Sequence, residues 1–487
     1  MKRDYVILFV IFILTLFFRT MFVSETPYFN EDSAYYNLRH TDYISQHIQP
    51  MIKDDLSYGG RIVIDSHIFH LVLAGFRSFL PDFIVFKLLP EILFALMIFI
   101  VYAIAKRLTD NTTAPLLAAL ISGFIPIFVA NTVNTISVYS ILLPLIFYQV
   151  YCLMNIDTHK GRFIVLSFLL PIIHPFTAIL AISFVFYAIL LSIESIKMKK
   201  AAREAVLFFV MLVLLMGFIV YKKAFLEFGL YAVLQNVPAA LFSTYFQNIN
   251  VFSLIYGIGI IPLILGALGI VFGIAWERSD SAFLLSGLVL ADFLLLFLRL
   301  INFTTGMIFL GLLLSILSAI SISKAISYVK ITKFARMKKY IFVSFIILII
   351  LLLGIPSYTS TRKIMQLGVS QEEMQALEWI RDNTPEDSTV LGNIEEGNMI
   401  AHIAKRKTVA DNVFMFAPDR YDDVKLMLST ESLVKATQLM HKYGVDYVLV
   451  SESTRRMYNM EDLKYVSEEC FEPEFEREKA KVYKLVC

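Results

Sequence analysis

Charge is scarce in this chain. Asp, Glu, Lys and Arg make up 17% of its 487 residues, whereas a soluble domain carries about 25%. A single soluble core also stops growing near roughly 250–300 residues. The scarcity excludes an ordinary large soluble enzyme, and a hydrophobic content of 57% excludes disorder. Cysteine is rarer still. Cys152, Cys470 and Cys487 are the only three, too few for a disulfide scaffold or a Cys-rich metal centre. Cys470 and Cys487 either pair in an oxidising compartment or stay as two thiols; the sequence leaves both open. A basic excess is missing too. The formal net charge is +2, which gives no footprint for nucleic acid. No internal repeat is visible, and without paired Gly/Pro-broken halves a transporter is the weaker reading.

What the chain has is long apolar runs. A helix needs about 20 apolar residues to cross the hydrocarbon core. Eleven stretches are candidates: 5–23, 82–105, 115–131, 136–154, 162–174, 175–193, 204–221, 251–275, 281–299, 303–323 and 340–356. The first follows Lys2 and Arg3, like a signal peptide. Its apolar run is longer than an h-region and no small-residue cleavage site follows, so it reads as an uncleaved span. With the N-terminus in the cytoplasm, alternation leaves Lys106 and Arg107, Lys160 and Arg162, Lys197 to Arg203, and Lys324 to Lys339 inside, as the positive-inside rule asks. Merging 162–174 with 175–193 would turn the two most basic loops outward, so the pair is kept.

This is the pattern of a polytopic α-helical membrane protein of the cell membrane. Residues 1–356 form its transmembrane part, with external loops at 24–81 and 222–250. Residues 357–487 change character. "ALEWIRDNTPEDSTVLGN" and "YGVDYVLVSES" have a helix-then-strand rhythm, the mark of a small external α/β domain. That segment carries 17 Lys and Arg against 23 Asp and Glu, a net of −6, so the membrane part holds +8. The near-zero total conceals a basic cytoplasmic face and an acidic external cap.

The first external loop begins with "YFNEDSAYYNLRHTDYI", which sets Glu31 and Asp32 side by side at the membrane surface. Such a pair can act as a general base or hold a divalent cation. It can equally be a pair of solvated acids or a helix N-cap. Asp54, Asp55, Arg61, Asp65, His67 and His70 follow. Residues 62–80 have the apolar spacing of an interfacial helix. His67 and His70 would share one helical face, but two His without a third ligand make a weak metal signal. Arg299 ends the ninth stretch on the outer side. An Arg at membrane depth costs about 2.5–3.5 kcal/mol on insertion scales, so it faces a cavity or partner, or snorkels to the interface. Asp292 lies within the same stretch, positioned to pair with another helix or line a groove. His174 reads as structural. The sequons at Asn111 and Asn302 fall on the cytoplasmic side and at a membrane edge.

The order of acid pair, "YYNLR" and "DDLSYGGRIV" resembles the first external loop of the oligosaccharyltransferase catalytic subunit, a GT-C membrane glycosyltransferase. Asp32, Asn37 and Arg39 match its acid-and-"NYR" element with one extra residue, and Gly60-Arg61 match its second piece. "IPIFVANTVNTISVYS", "AVLQNVP", "FLRLINFTTG" and "VLGNIEEGNMIAHIAKRKTVADN" follow in the family's order. The resemblance implies a divergent GT-C fold that transfers a sugar from a polyprenyl-phosphate carrier to a protein or glycan acceptor on the non-cytoplasmic face. It implies Asp32, then Glu31, as the catalytic acids, which would also be the ligands if Mg or Mn is needed. It implies Arg299 for the phosphate, with Asn37 and Gln235 as further substrate contacts and Arg39 and Arg61 as secondary candidates, for the phosphate or for packing the loop. Membrane lipid and the lipid-linked sugar are the partners so implied.

The departures are equally specific. The family's second acid pair is replaced near Ile136 and Ser137, its loop Glu by Gln235, and its "WWDYG" by Asn393-Ile394-Glu395-Glu396-Gly397. Transfer to Asn sequons is therefore not implied. The other reading open at this stage is a GT-C-fold binding or scaffold protein without catalysis.

Overall fold

The computed structural model describes residues 2–229, 250–413, 417–466 and 470–487. Gln235 and most of the 222–250 loop lie outside the described residues.

Eight described helices are long and apolar enough to cross a membrane: Arg3–Val23, Phe83–Leu108, Pro175–Ile193, Lys200–Val220, Ile260–Glu277, Asp280–Phe297, Phe303–Ile331 and a run that begins at Lys333. Three of the eleven expected stretches fall short of that length or composition. The 115–131 stretch breaks into Thr113–Gly123 and Pro126–Ala130, because Pro126 disfavours helix at the residue before it. The 136–154 stretch is a 16-residue helix, Tyr139–Met154. The 162–174 stretch belongs to Ile156–Ile173, which kinks at His159 and starts with Asp157, Lys160 and Arg162. The last apolar run continues as helix to Leu367, past the boundary expected at 357. Ser357 in it donates to the Phe124 carbonyl at 2.7 Å.

Phe303–Ile331 is the hub of the membrane part, with nearly all of its apolar stretch buried. Ser315 donates to the Leu312 carbonyl and Ser318 to that of Ser315 within the helix, while Ser321 donates across to the Leu265 carbonyl at 2.8 Å. The helix Ile260–Val271 packs along it through Gly266 and Gly269. A Cβ at Gly269 would fall on the Leu317 carbonyl. Small residues let two backbones approach this closely where no hydrophobic effect drives association. Gly269→Ala should cost about 1–3 kcal/mol, as overpacking does, seen as a lower midpoint of thermal unfolding in detergent. Upstream, Gly259 takes φ +93, the left-handed region that favours glycine, and splits the 251–275 stretch into two helices.

A buried polar network pins the C-terminal end of the first helix, α1 (Lys2–Val23). Arg19 Nε donates to Glu91 at 2.7 Å, and its Nη2 donates to the Thr132 carbonyl and hydroxyl. Arg19 and Glu91 are fully buried. Glu91 in turn accepts from the Asn134 backbone N–H at 2.8 Å. Lys87 Nζ donates to Asn134 Oδ1 at 2.6 Å and to the Tyr28 carbonyl at 2.8 Å. This network shapes the 131–137 turn, where the resembling family carries its second acid pair.

The loop after α1 holds α2 (Asp32–His47), a two-stranded ladder of β1 (Lys53–Asp54) and β2 (Arg61–Ile62), and α3 (Ile68–Arg77). The C-terminal part builds a five-stranded mixed sheet from β3 (Thr389–Leu391), β4 (Lys407–Thr408), β5 (Tyr447–Ser451), β6 (Phe471–Glu476) and β7 (Ala480–Leu485), in the order β4-β3-β5-β7-β6. β3 runs parallel to β4 and β5; β7 is antiparallel to β5 and β6. Cys470 and Cys487 form a disulfide across the ends of the β6–β7 hairpin. The first loop docks on this sheet. Ser57 bridges Thr408 at its β4 edge, Arg61 pairs with buried Asp411 at 3.2 Å, and the Tyr58 hydroxyl donates to the Asp411 carbonyl at 2.7 Å.

Candidate active site

A cavity of about 670 Å³ opens where the first loop, the adjoining helix ends and the sheet meet. Glu31, Asp32, Ser33 and Asn37 line it from the first loop, Ser137 and Tyr139 from the turn that follows the Arg19 network, and Asn302, Thr304 and Thr305 from the start of the hub helix. Glu395, Glu396, Ser451, Ser453 and Arg456 close it from the sheet. The sheet residues have a common origin. β3 and β5 are parallel, and 392–396 and 451–456 leave their carboxyl ends, the position where open α/β sheets place ligands.

Asp32 is buried at the N-terminus of α2 and held from across the cavity wall. Its Oδ1 accepts from the Met399 N–H at 2.8 Å, and its Oδ2 from Asn398 Nδ2 at 2.6 Å and the Asn398 N–H at 3.2 Å. Burial outweighs these bonds and pushes its pKa up to about 7. Glu31 faces the other way. Its side chain is open to the cavity while protein surrounds it, and it accepts one bond, from Ser33 Oγ at 3.2 Å. Desolvation raises its pKa above the usual carboxylate range; the Ser33 bond opposes this and the negative charge of Glu395 adds to it. Glu395 is likewise open to the cavity and raised by burial, with Arg456 opposing. Glu396 is buried beneath them, accepting from Ser451, from Thr454 and from the Asn393 N–H at 3.0 Å, and burial lifts its pKa to about 8.

The cavity thus brings together Glu31, Asp32 and Asn37 and adds Glu395, Glu396 and Arg456. Glu395 and Glu396 sit in the segment that replaces "WWDYG", but only the fold turns them toward the first-loop acids. Arg456 lies in a short helix after β5 and belongs to none of the motifs; its position just beyond a buried strand was the available signal. It donates to the Leu367 carbonyl at 3.1 Å and leaves the rest of its guanidinium at the cavity.

The remaining predicted residues lie elsewhere. Arg39 pairs with Asp54. Arg61 pairs with Asp411 and stacks over Tyr36 and Tyr58. Arg299 is exposed on the turn before the hub helix with φ 57, three residues ahead of cavity-lining Asn302. Asp292 is buried in Asp280–Phe297, and the His174 ring accepts from the Phe176 N–H at 3.1 Å. As to cations, Glu31 and Glu395 are the carboxylates whose oxygens open on the cavity. That donor set suits Mg²⁺ or Mn²⁺, ions that take one or two carboxylates together with water and substrate phosphate oxygens.

No family model matches the sequence, and no curated protein matches it. Solved structures do match the fold. Archaeal oligosaccharyltransferase AglB from Archaeoglobus fulgidus, in complex with an inhibitory peptide and a dolichol-phosphate, superposes with a TM-score of 0.71 at 13% identity, over 93% of this chain and 70% of that one. The same organism's enzyme with Zn and sulfate gives 0.63 at 14% identity, over 91% and 68%. ArnT from Cupriavidus metallidurans bound to undecaprenyl phosphate gives 0.50 at 10% identity, over 99% and 97%. These neighbours are GT-C glycosyltransferases, and the fold of this chain is GT-C.

Proposed function

We propose that this chain is a membrane glycosyltransferase that moves a sugar from a polyprenyl-phosphate carrier to a protein or glycan acceptor on the non-cytoplasmic face. The observation that carries the reading is the pair of open carboxylates, Glu31 and Glu395, with Arg456 beside them, in an outer cavity of a GT-C fold. Glu31 takes the proton of the acceptor group. The acceptor heteroatom forms a bond to the sugar's anomeric carbon as the bond from that carbon to the phosphate oxygen breaks. The leaving phosphate carries the charge away, and Arg456 balances it. Asp32 keeps Glu31 in place by clamping the 398–399 backbone. A Mg²⁺ or Mn²⁺ held by Glu31 and Glu395, with Asp32 behind them, would polarise the leaving phosphate.

The N-terminus is assigned to the cytoplasm and the sheet to the outside. The Cys470–Cys487 disulfide suits an oxidising compartment and supports that assignment.

The test is direct. The purified protein is given dolichol- and undecaprenyl-phosphate-linked sugars with peptide and glycan acceptors. Transfer is expected with at least one donor, and Arg456→Gln should raise KM for the donor more than it lowers kcat. No turnover with any donor, alongside stable donor binding, would turn the reading to a non-catalytic binding protein.

A further inference from the structure

We propose that His40, His67 and His70 form a second, separate site that binds one transition-metal ion, zinc by the chemistry of its donors, and ties α2 to the start of α3. One ring nitrogen from each lies within 4.8 Å of the others. A tetrahedral zinc with Zn–N bonds of about 2.0–2.1 Å spaces its ligand nitrogens roughly 3.3 Å apart. The ring nitrogens therefore have at most about 1.5 Å to close, by the same estimate. His40 is fully buried and His70 nearly so. Both ring nitrogens of His40 lack any hydrogen-bond partner, as do Nδ1 of His67 and Nδ1 of His70. Buried polar groups are nearly always paired, so unpaired nitrogens on three neighbouring rings need an explanation, and an ion that takes one nitrogen from each ring is a direct one.

The surroundings are arranged for it. Asn37 Nδ2 donates to the Ser33 carbonyl at 3.0 Å and to the Ile136 carbonyl at 2.8 Å. That fixes the amide and leaves its Oδ1 to accept from His70 Nε2 at 2.8 Å. Nε2 then carries the proton, and Nδ1 is left with its lone pair. Metal-bound histidines are held in this way, the second ring N–H tied to an oxygen that sets the tautomer. Burial lowers the pKa of all three rings, so they are neutral and their lone pairs free at neutral pH. Two cations face His40, Arg39 and Arg61, but each is ion-paired, to Asp54 and Asp411. Asp65, which accepts from the Tyr36 hydroxyl at 2.9 Å, adds negative charge toward His67 and His70.

Imidazoles select zinc, copper, nickel or cobalt over Mg²⁺ and Ca²⁺, which want oxygen. The site is therefore distinct in chemistry from the cavity carboxylates. It is also distinct in place. His40 lies two turns along α2 from Asp32, and Asn37, which lines the cavity, links it to the histidines through His70. The ion would brace the helix that presents the acids without entering the reaction.

The experiment uses the full chain in detergent, stripped with a chelator, reloaded with Zn²⁺ or Co²⁺ and desalted. Elemental analysis should find one ion per chain, Co²⁺ should give the visible bands of a tetrahedral site, and Zn²⁺ should raise the midpoint of thermal unfolding. His67→Ala, a change at a half-buried position that the fold tolerates, should lose all three signals. Metal absent from the reloaded wild type, or kept equally by wild type and His67→Ala, would overturn the proposal. The readouts do not depend on sugar transfer, so this result and that of the transfer assay fail separately.

Discussion

Glu31→Gln is expected to lower sugar transfer by about 10²- to 10⁴-fold, the usual contribution of a positioned general base. The expectation rests on exposure to the cavity. Glu31 accepts a single hydrogen bond and has its oxygens free for an acceptor, whereas each oxygen of Asp32 is already engaged by N–H donors. The variant should unfold at the same temperature as the parent, because no clamp is cut. Asp32→Asn should differ in kind. An amide there turns an NH₂ toward the N–H groups of Asn398 or Met399, so stability and activity fall together.

The pH dependence separates these roles further. A base must be ionised to act, and Glu31 is raised above its ordinary value by desolvation and then by Glu395. The rate should therefore fall with acid at a pH above the normal glutamate range. Glu395→Gln removes a negative neighbour, favours the ionised form of Glu31, and should move that acid limb to lower pH. An unchanged limb in Glu395→Gln, or full transfer by Glu31→Gln, would sink the assignment of Glu31 as the base.

Breaking the ion pair at the C-terminal end of α1 should have the largest effect on stability. Arg19→Met leaves Glu91 buried and uncompensated, a change that costs about 3–5 kcal/mol. Two further bonds to Thr132 go with it. The double variant Arg19→Met, Glu91→Leu removes both charges and should recover most of the loss, since apolar replacements of buried pairs are often neutral. Thermal unfolding of the four proteins completes the cycle. A double variant no more stable than Arg19→Met would mean that the Thr132 and Asn134 contacts, and not the ion pair, carry the energy.

The sequence showed the membrane architecture because apolar length is a one-dimensional signal. It was less informative where a helix breaks for a local reason, at Pro126 or Gly259, since a hydropathy run does not register a turn inside it. The first-loop acids were legible through their adjacency and their setting. Their partners were not. Glu395 and Asn398 stand far along the chain, and nothing in their own neighbourhood says that the carboxyl ends of β3 and β5 point at α2. His40 illustrates the same limit. His67 and His70 announce themselves by spacing, but the third imidazole comes from another helix, and only its shared face with Asn37 hinted at it. Arg39 and Arg61 match a family motif, yet in the fold their charges are spent on Asp54 and Asp411.

The clamp on Asp32 also says something about time. Its donors lie 366 and 367 positions further along the chain. At a synthesis rate of about 5–20 residues per second, the first loop waits roughly 20–70 seconds for them. Throughout that interval α2 has already been made while the sheet that closes the cavity has not. The site is therefore late to form, assembled from segments far apart in the chain once the membrane helices between them are in place. A nascent or truncated chain would sit in the membrane with its first-loop acids unpaired and no cavity to use them in.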